Sequence, residues 1–217
     1  MTAFQDRTDA GRKLAAELAA KIHGPATVAA IPRGGIVVAA PIAEHLHAPL
    51  AVVYARKLTS RVSPELAFGA LDEDGQALLE PEIVADLQLT PDEVERAKRR
   101  VWEEIRRRMI AYAVPALAHF LAPGLSLVLV DDGLATGLTM KAALAYARRH
   151  GAQDITVAVP CASARAAAYF HRTADRFVSL IVDEDFMAVG RYYEDFSPVT
   201  DEEVIATVSR PPRAEAR

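Results

Sequence analysis

The chain predicts an α/β fold, a parallel sheet flanked by helices on both faces. Three observations carry this. Predominantly apolar runs recur at Val28–Ile31, Ala51–Tyr54, Ser126–Val130, Ile155–Val159 and Phe177–Val182. Amphipathic stretches of helical spacing separate most of them, and strands apolar on both sides belong to a sheet buried on both faces. The length of 217 residues and the 51% hydrophobic composition suffice for one such domain with a full core, placed at 1–209.

In chain order, Leu14, Leu18 and Ile22 repeat at helical spacing, and Gly24-Pro25 ends a helix over Asp9–Lys21. A second helix runs from Gly35 to Leu46, with Pro41 inside it as an expected kink. Residues 58–80 are polar and long for a connection; they read as a flexible loop with a weak hairpin at Asp74-Gly75. Thr90-Pro91-Asp92-Glu93 combines a capping Thr, Pro at the first helical position and Glu at the third, starting a helix that reaches Ala113. Helices over Thr139–His150 and from Ser163 alternate with the last strands. Thr200-Asp201-Glu202-Glu203 caps a short final helix, and 210–217, rich in Pro, Arg and Ala, reads as a frayed tail.

Net charge is −4, which gives no overall pull toward nucleic acid or anionic membrane. No apolar run spans a bilayer, and the first residues lack an apolar signal core. A single cysteine, Cys161, excludes an internal disulfide and fits a reducing cytoplasm. The six histidines show no zinc-ligand spacing.

The segment Leu127–Met140 reads LVLVDDGLATGLTM. An apolar strand runs into Asp131 and Asp132, which can accept hydrogen bonds from hydroxyls or meet a divalent cation. By itself such a strand end also fits an exposed turn. The loop Ala135-Thr136-Gly137-Leu138-Thr139 then opens a helix, and its small residues, hydroxyls and free N–H groups suit a phosphate monoester. Together the halves describe a ligand with a diol and a phosphate, such as ribose 5-phosphate. The glycine patterns of phosphate-loop nucleotidases and dinucleotide folds are absent.

Val128–Met140 resembles the phosphoribosyl pyrophosphate (PRPP) motif of type I phosphoribosyltransferases. Phe4–Arg7, Ala10-Gly11, Ile31–Gly35, Arg56–Leu58 and Pro64–Ala70 resemble a bacterial branch of that superfamily. The resemblance implies a cytoplasmic, homodimeric enzyme of nucleotide metabolism. It implies that PRPP reacts with a nucleobase to give a nucleoside monophosphate and pyrophosphate, with Mg2+ as cofactor. Asp131 and Asp132 would hold the ribose hydroxyls and meet the Mg2+, mainly through substrate, while residues 135–139 hold the 5-phosphate. Arg33 with Gly34 and Gly35, after one strand, and Arg56 with Lys57, closing its neighbour, would hold pyrophosphate; Arg33 and Lys57 count with the aspartates as catalytic candidates. Arg61 and Glu65 would lie on a loop that excludes water. A small hood at about 183–200, with an N-terminal contribution, would offer Phe186 and Tyr192 to a base. Purine enzymes of the superfamily carry an acid where this chain has Ala135, and a lysine where it reads Pro160-Cys161, so the acceptor stays open. Basic residues from Arg96 to Arg108 interleave with acids as Glu95/Arg99, Glu103/Arg107 and Glu104/Arg108, which reads as a salt-bridged face. The alternative is a non-catalytic PRPP sensor that uses this helix to bind RNA.

Overall fold

The computed structural model describes residues 3–60 and 66–209. In chain order its elements are α1 (Arg7–Ala19), β1 (Ala26–Ala30), α2 (Gly34–His45), β2 (Leu50–Val52), β3 (Ala55–Thr59), β4 (Ala67–Asp72), β5 (Ala77–Leu79), α3 (Pro81–Asp86), α4 (Pro91–Tyr112), β6 (Ser126–Val130), α5 (Leu138–Arg149), β7 (Asp154–Ser163), α6 (Ala164–Thr173), β8 (Arg176–Asp183) and α7 (Asp201–Val208). Five of the strands form a parallel sheet in the order β2-β1-β6-β7-β8. Alternate side chains point to opposite faces of a strand. Val28, Ala30, Val128 and Val130 accordingly join the core shared with α1, α2, α4 and α7. Ala29, Ile31, Leu127 and Leu129 join the core shared with α5 and α6. The inner strands are buried on both faces, which is why they read as predominantly apolar runs.

Helix α1 starts two residues earlier than its periodicity suggests, because the Asp6 carboxylate caps it by accepting from the Asp9 N–H at 2.7 Å. It lies tight on α2: a Cβ on Gly11 would fall 2.3 Å from the Val38 carbonyl and 2.6 Å from Pro41 Cγ. Pro41 does sit inside α2, and its ring fills the space Gly11 leaves. The capping box of α4 forms as read, with the Glu93 N–H on Thr90 Oγ1 at 3.3 Å and the Thr90 N–H on Glu93 Oε2 at 2.9 Å. Thr200 and Glu203 do the same for α7.

The segment 58–80 differs from the loop expected there. Among its described residues, 58–59, 67–72 and 77–79 belong to a second, antiparallel sheet in the order β3-β4-β5, with β4 buried along its whole length. The β4–β5 hairpin does turn at Asp74-Gly75, with Gly75 at φ +76°. What made the stretch look like loop is its acids, and the fold has placed their partners far away in sequence. Asp72 is 2% exposed, yet Arg149 on α5 donates to it at 2.6 Å. The expected loop residues Arg61 and Glu65, and the 210–217 tail, lie outside the described residues.

Glu73 is buried beside this turn; its Oε2 accepts from the Tyr54 N–H at 3.0 Å, while Oε1 has no hydrogen-bond partner among the described residues. Burial, with the charge of Asp74 adding to it, raises its pKa above the usual carboxylate range. A raised folded pKa means that the native state binds the extra proton, so stability falls as pH rises from the unfolded value through the folded one. Glu73→Gln removes that dependence while keeping an acceptor for Tyr54. Urea unfolding should show the variant gaining on the wild type as pH rises through and above the usual carboxylate range; a constant difference contradicts this account.

Candidate active site

The pairing of β1 with β6 sets the site. Ala30 is in register with Val130, and the Ile31 N–H donates to the Val130 carbonyl at 3.0 Å. The two strand ends therefore deliver residues 32–35 and 131–132 side by side. A Cβ on Gly34 would fall 1.9 Å from Asp132 Oδ2, and one on Gly35 would fall 3.1 Å from both Asp131 Cα and Asp131 Oδ1. At Gly34 only glycine allows this approach, while at Gly35 a Cβ would be tight. The Pro32–Arg33 peptide bond is cis. Arg33 is the N-cap of α2 and gives it no side-chain hydrogen bond, so the first N–H groups of this helix have no side-chain cap.

Both aspartates are half-buried and adjacent. Burial first, and then the charge of Asp132, push the Asp131 carboxyl well above the ordinary range. Burial raises Asp132 too, against the opposing effect of Arg7. Arg7 Nε meets Asp132 Oδ2 at 2.8 Å, and the Asp132 N–H donates to Asp131 Oδ1 at 2.9 Å. The Tyr193 hydroxyl donates to the Asp132 carbonyl at 2.6 Å.

The loop after the aspartates is pinned to the end of β7. The Leu134 N–H donates to the Cys161 carbonyl at 2.9 Å, the Ser163 N–H to the Leu134 carbonyl at 2.8 Å, and the Ser163 hydroxyl to the Ala135 carbonyl at 2.6 Å. The chain then turns through Gly137 at φ +71°, the N-cap of α5, which lacks a side-chain cap. Thr136 is exposed and Thr139 half-buried at that helix start. Residues 135–139 thus form one helix-terminal nest beside the aspartates, with the N–H groups and positive dipole end that attract an anion.

Arg56 and Lys57 do not close β2 as a pair; they lie inside β3, on opposite faces. Strand alternation separates them. Arg56 is half-buried and reaches Glu104 on α4 at 3.5 Å. Lys57 is exposed, and its charge acts on both Asp131 and Asp132. Arg33 leans toward α7, with Nη1 3.8 Å from Asp201 Oδ1.

On α4, the pairs that form are Lys98–Glu95 at 2.7 Å, Arg107–Glu104 at 2.8 Å and Arg108–Glu104 at 3.0 Å, so only the last of the three expected pairings appears. The i,i+3 partner is nearer for the others, and Arg107 turns to Asp201 at 2.9 Å as well. The helix braces β3 and α7 through these contacts.

The segment after β8 covers the site from above. Phe186 and Tyr192 stack with ring centroids 5.1 Å apart, and the Tyr192 hydroxyl donates to Asp183 at 2.5 Å. They share a small cluster with Phe4, Cys161, Tyr193, Val189 and Phe196. The N-terminus joins in: Phe4 bridges Tyr193, and the Ala3 and Phe4 N–H groups both donate to the Tyr192 carbonyl at 3.0 Å. Gly133 is required below this cap, because a Cβ there would fall 2.7 Å from Val189 and 2.9 Å from Cys161 Sγ.

Arg7 and Tyr193 hold the aspartates, yet neither stands out by spacing in a motif. The signal for Arg7 is its position on the buried stripe Arg7, Gly11, Leu14, Leu18 of α1, where a charge needs a partner. Among the described residues no group of three His, Cys, Asp or Glu side chains could form a metal cage, and no helix is long and apolar enough to cross a membrane.

A model of the phosphoribosyl transferase domain matches residues 3–197. Two Mycobacterium tuberculosis proteins, from strains CDC 1551 and H37Rv, carry provisional phosphoribosyl transferase names. Each is 40% identical over 210 residues, 97% of this chain and 47% of its own length. The chain therefore spans about half the length of these curated relatives. The crystal structure of TT1426 from Thermus thermophilus is similar with TM-score 0.75 and 38% identity, over 96% of this chain and 98% of that one. A Neisseria gonorrhoeae protein solved with bound ppGpp shares the fold alone, at TM-score 0.51 and 14% identity over 95% and 94% of the two chains. With the parallel sheet, the paired strand ends and these likenesses together, the chain belongs to the phosphoribosyl transferase domain family.

Proposed function

We propose that this protein transfers the 5-phosphoribosyl group of PRPP to a nitrogenous base and releases pyrophosphate. One observation carries the reading: the Gly34-Gly35 helix start, the Asp131-Asp132 pair and the helix start at 137–139 follow one another at adjoining strand ends. That is the order of pyrophosphate, ribose diol and 5-phosphate in PRPP. Asp131 and Asp132 orient the ribose hydroxyls, and residues 135–139 anchor the 5-phosphate. The bond from the anomeric carbon to pyrophosphate oxygen breaks as the base nitrogen attacks that carbon. The charge gathering on the departing oxygen meets Arg33, the Gly34 and Gly35 amides and the Lys57 field. Arg33 reaches it by leaving Asp201. Positioning and charge stabilisation of this kind account for most of such a barrier. The cap excludes water from an electron-poor sugar, and Phe186 and Tyr192 offer it aromatic faces for a base.

Two adjacent carboxylates without a third ligand fit a magnesium ion that arrives on the substrate's oxygens and keeps several waters, rather than one caged by protein. Bound that way, Mg2+ would neutralise pyrophosphate charge next to Asp131 and Asp132. The same reading makes the protein a cytoplasmic homodimer of nucleotide metabolism.

Pyrophosphate release from PRPP across a panel of purine, pyrimidine and other nitrogenous bases tests the proposal. Release that depends on one base, and that falls about 100-fold or more in Asp131→Asn, is expected. No release with any base, or release indifferent to both base and Asp131, overturns it.

A further inference from the structure

We propose that Arg7 is the positioning residue of the ribose site: it holds Asp132 from α1 and ties that carboxylate to the cap. The inference rests on the phosphoribosyl reading above. Arg7 contacts the carboxylate of Asp132, with Nε 2.8 Å from Oδ2, and the two partners are 10% and 17% exposed. Its Nη1 donates to the Ser197 carbonyl at 2.9 Å, and its guanidinium carbon lies 3.8 Å over the Phe196 ring. One planar fork thus makes an ion pair, a hydrogen bond and a ring stack at once, which a lysine ammonium cannot reproduce. The Gly34 backbone sits on the same pair, since a Cβ there would also come 2.8 Å from Arg7 Nε.

Four segments meet at this guanidinium: α1, the 32–35 turn, the Asp131-Asp132 strand end and the cap at 196–197. Two half-buried carboxylates side by side repel each other, and a cation in contact fixes one oxygen of the pair. The oxygens that remain then face the sugar in one orientation. Because the same arginine holds Phe196 and Ser197, displacement of the cap disturbs Asp132 as well. Arg7 acts through Asp132 and is not assigned contact with substrate.

A double-mutant cycle read by calorimetric titration with PRPP and Mg2+ separates positioning from general support of the fold. Arg7→Ala should weaken binding to the wild-type protein about tenfold or more. In an Asp132→Asn background it should change affinity less than about twofold, because its partner is already lost. Arg7→Lys should recover part of the affinity in the Asp132 protein. Where Arg7→Ala does not fold, Arg7→Lys and Phe196→Leu carry the same cycle. Wild-type affinity in the Arg7 variants, or equal losses in both backgrounds, overturns the positioning role and leaves the phosphoribosyl reading standing. A wild-type protein that does not bind PRPP overturns the reading, and this inference with it.

Discussion

Gly34→Ala should cost at least about tenfold in PRPP affinity, with a stability loss of about 1–3 kcal/mol from overpacking. The added methyl would lie 1.9 Å from Asp132 Oδ2 and 2.8 Å from Asp132 Cγ. A flexible surface side chain could swing away from such a contact. Asp132 cannot do so without leaving Arg7, and Arg7 in turn is fixed by Phe196 and Ser197. Either the carboxylate leaves its partner or the 32–35 turn shifts off the strand ends, and both outcomes separate the two halves of the cradle. Gly24→Ala is the control. Gly24 has a left-handed backbone, at φ +89°, and nothing lies within 4 Å of its added methyl. It should lose about 1–2 kcal/mol of stability and no affinity. Titration calorimetry and urea unfolding on both variants check the pair, and unchanged PRPP affinity in Gly34→Ala contradicts the packing described for the site.

Gly137→Ala should be the more damaging to the fold. The residue is the N-cap of α5 at φ +71°, and its added methyl would fall 2.9 Å from Cε2 of the fully buried Phe170. Left-handed backbone strain and overpacking together are expected to cost about 2–4 kcal/mol. The loop cannot relax outward easily, because Leu134, Ala135 and Ser163 tie it to β7 on one side. On the other side, the Lys141 N–H closes the first turn of α5 on the Gly137 carbonyl at 2.8 Å. Binding of ribose 5-phosphate should fall along with stability, since the same backbone presents the helix-terminal N–H groups. Chemical denaturation together with ribose 5-phosphate titration measures both, and a variant with wild-type values in each would show that the loop does not need this geometry.

Much of this site is legible in the amino-acid order because its parts are local. A fully buried β6 with four apolar residues after Ser126, two aspartates and a Gly-containing helix start are consecutive, so position in sequence is position in space. The juxtaposition of Gly34 with Asp132 is not local. It depends on the β1–β6 register, which pairs residues about 100 apart, and no spacing rule reveals it. The Arg56-Lys57 pair misleads for a related reason: two adjacent cations suggest a shared task, but strand alternation sends them to different neighbours. Asp72 and Glu73 mark a loop by composition. They are buried here with Arg149 on Asp72 and the Tyr54 N–H on one oxygen of Glu73, both partners distant in sequence. Arg7 lies in view on an apolar helix face, and its meaning appears only once Asp132 is placed beneath it.

The most direct measurement is calorimetric titration of PRPP with Mg2+ into the wild-type protein and into Asp132→Asn. The account predicts saturable binding at one site per chain in the wild type and affinity weaker by about tenfold or more in the variant. Equal affinity in both, or no binding to either, would contradict a PRPP site at Asp131 and Asp132.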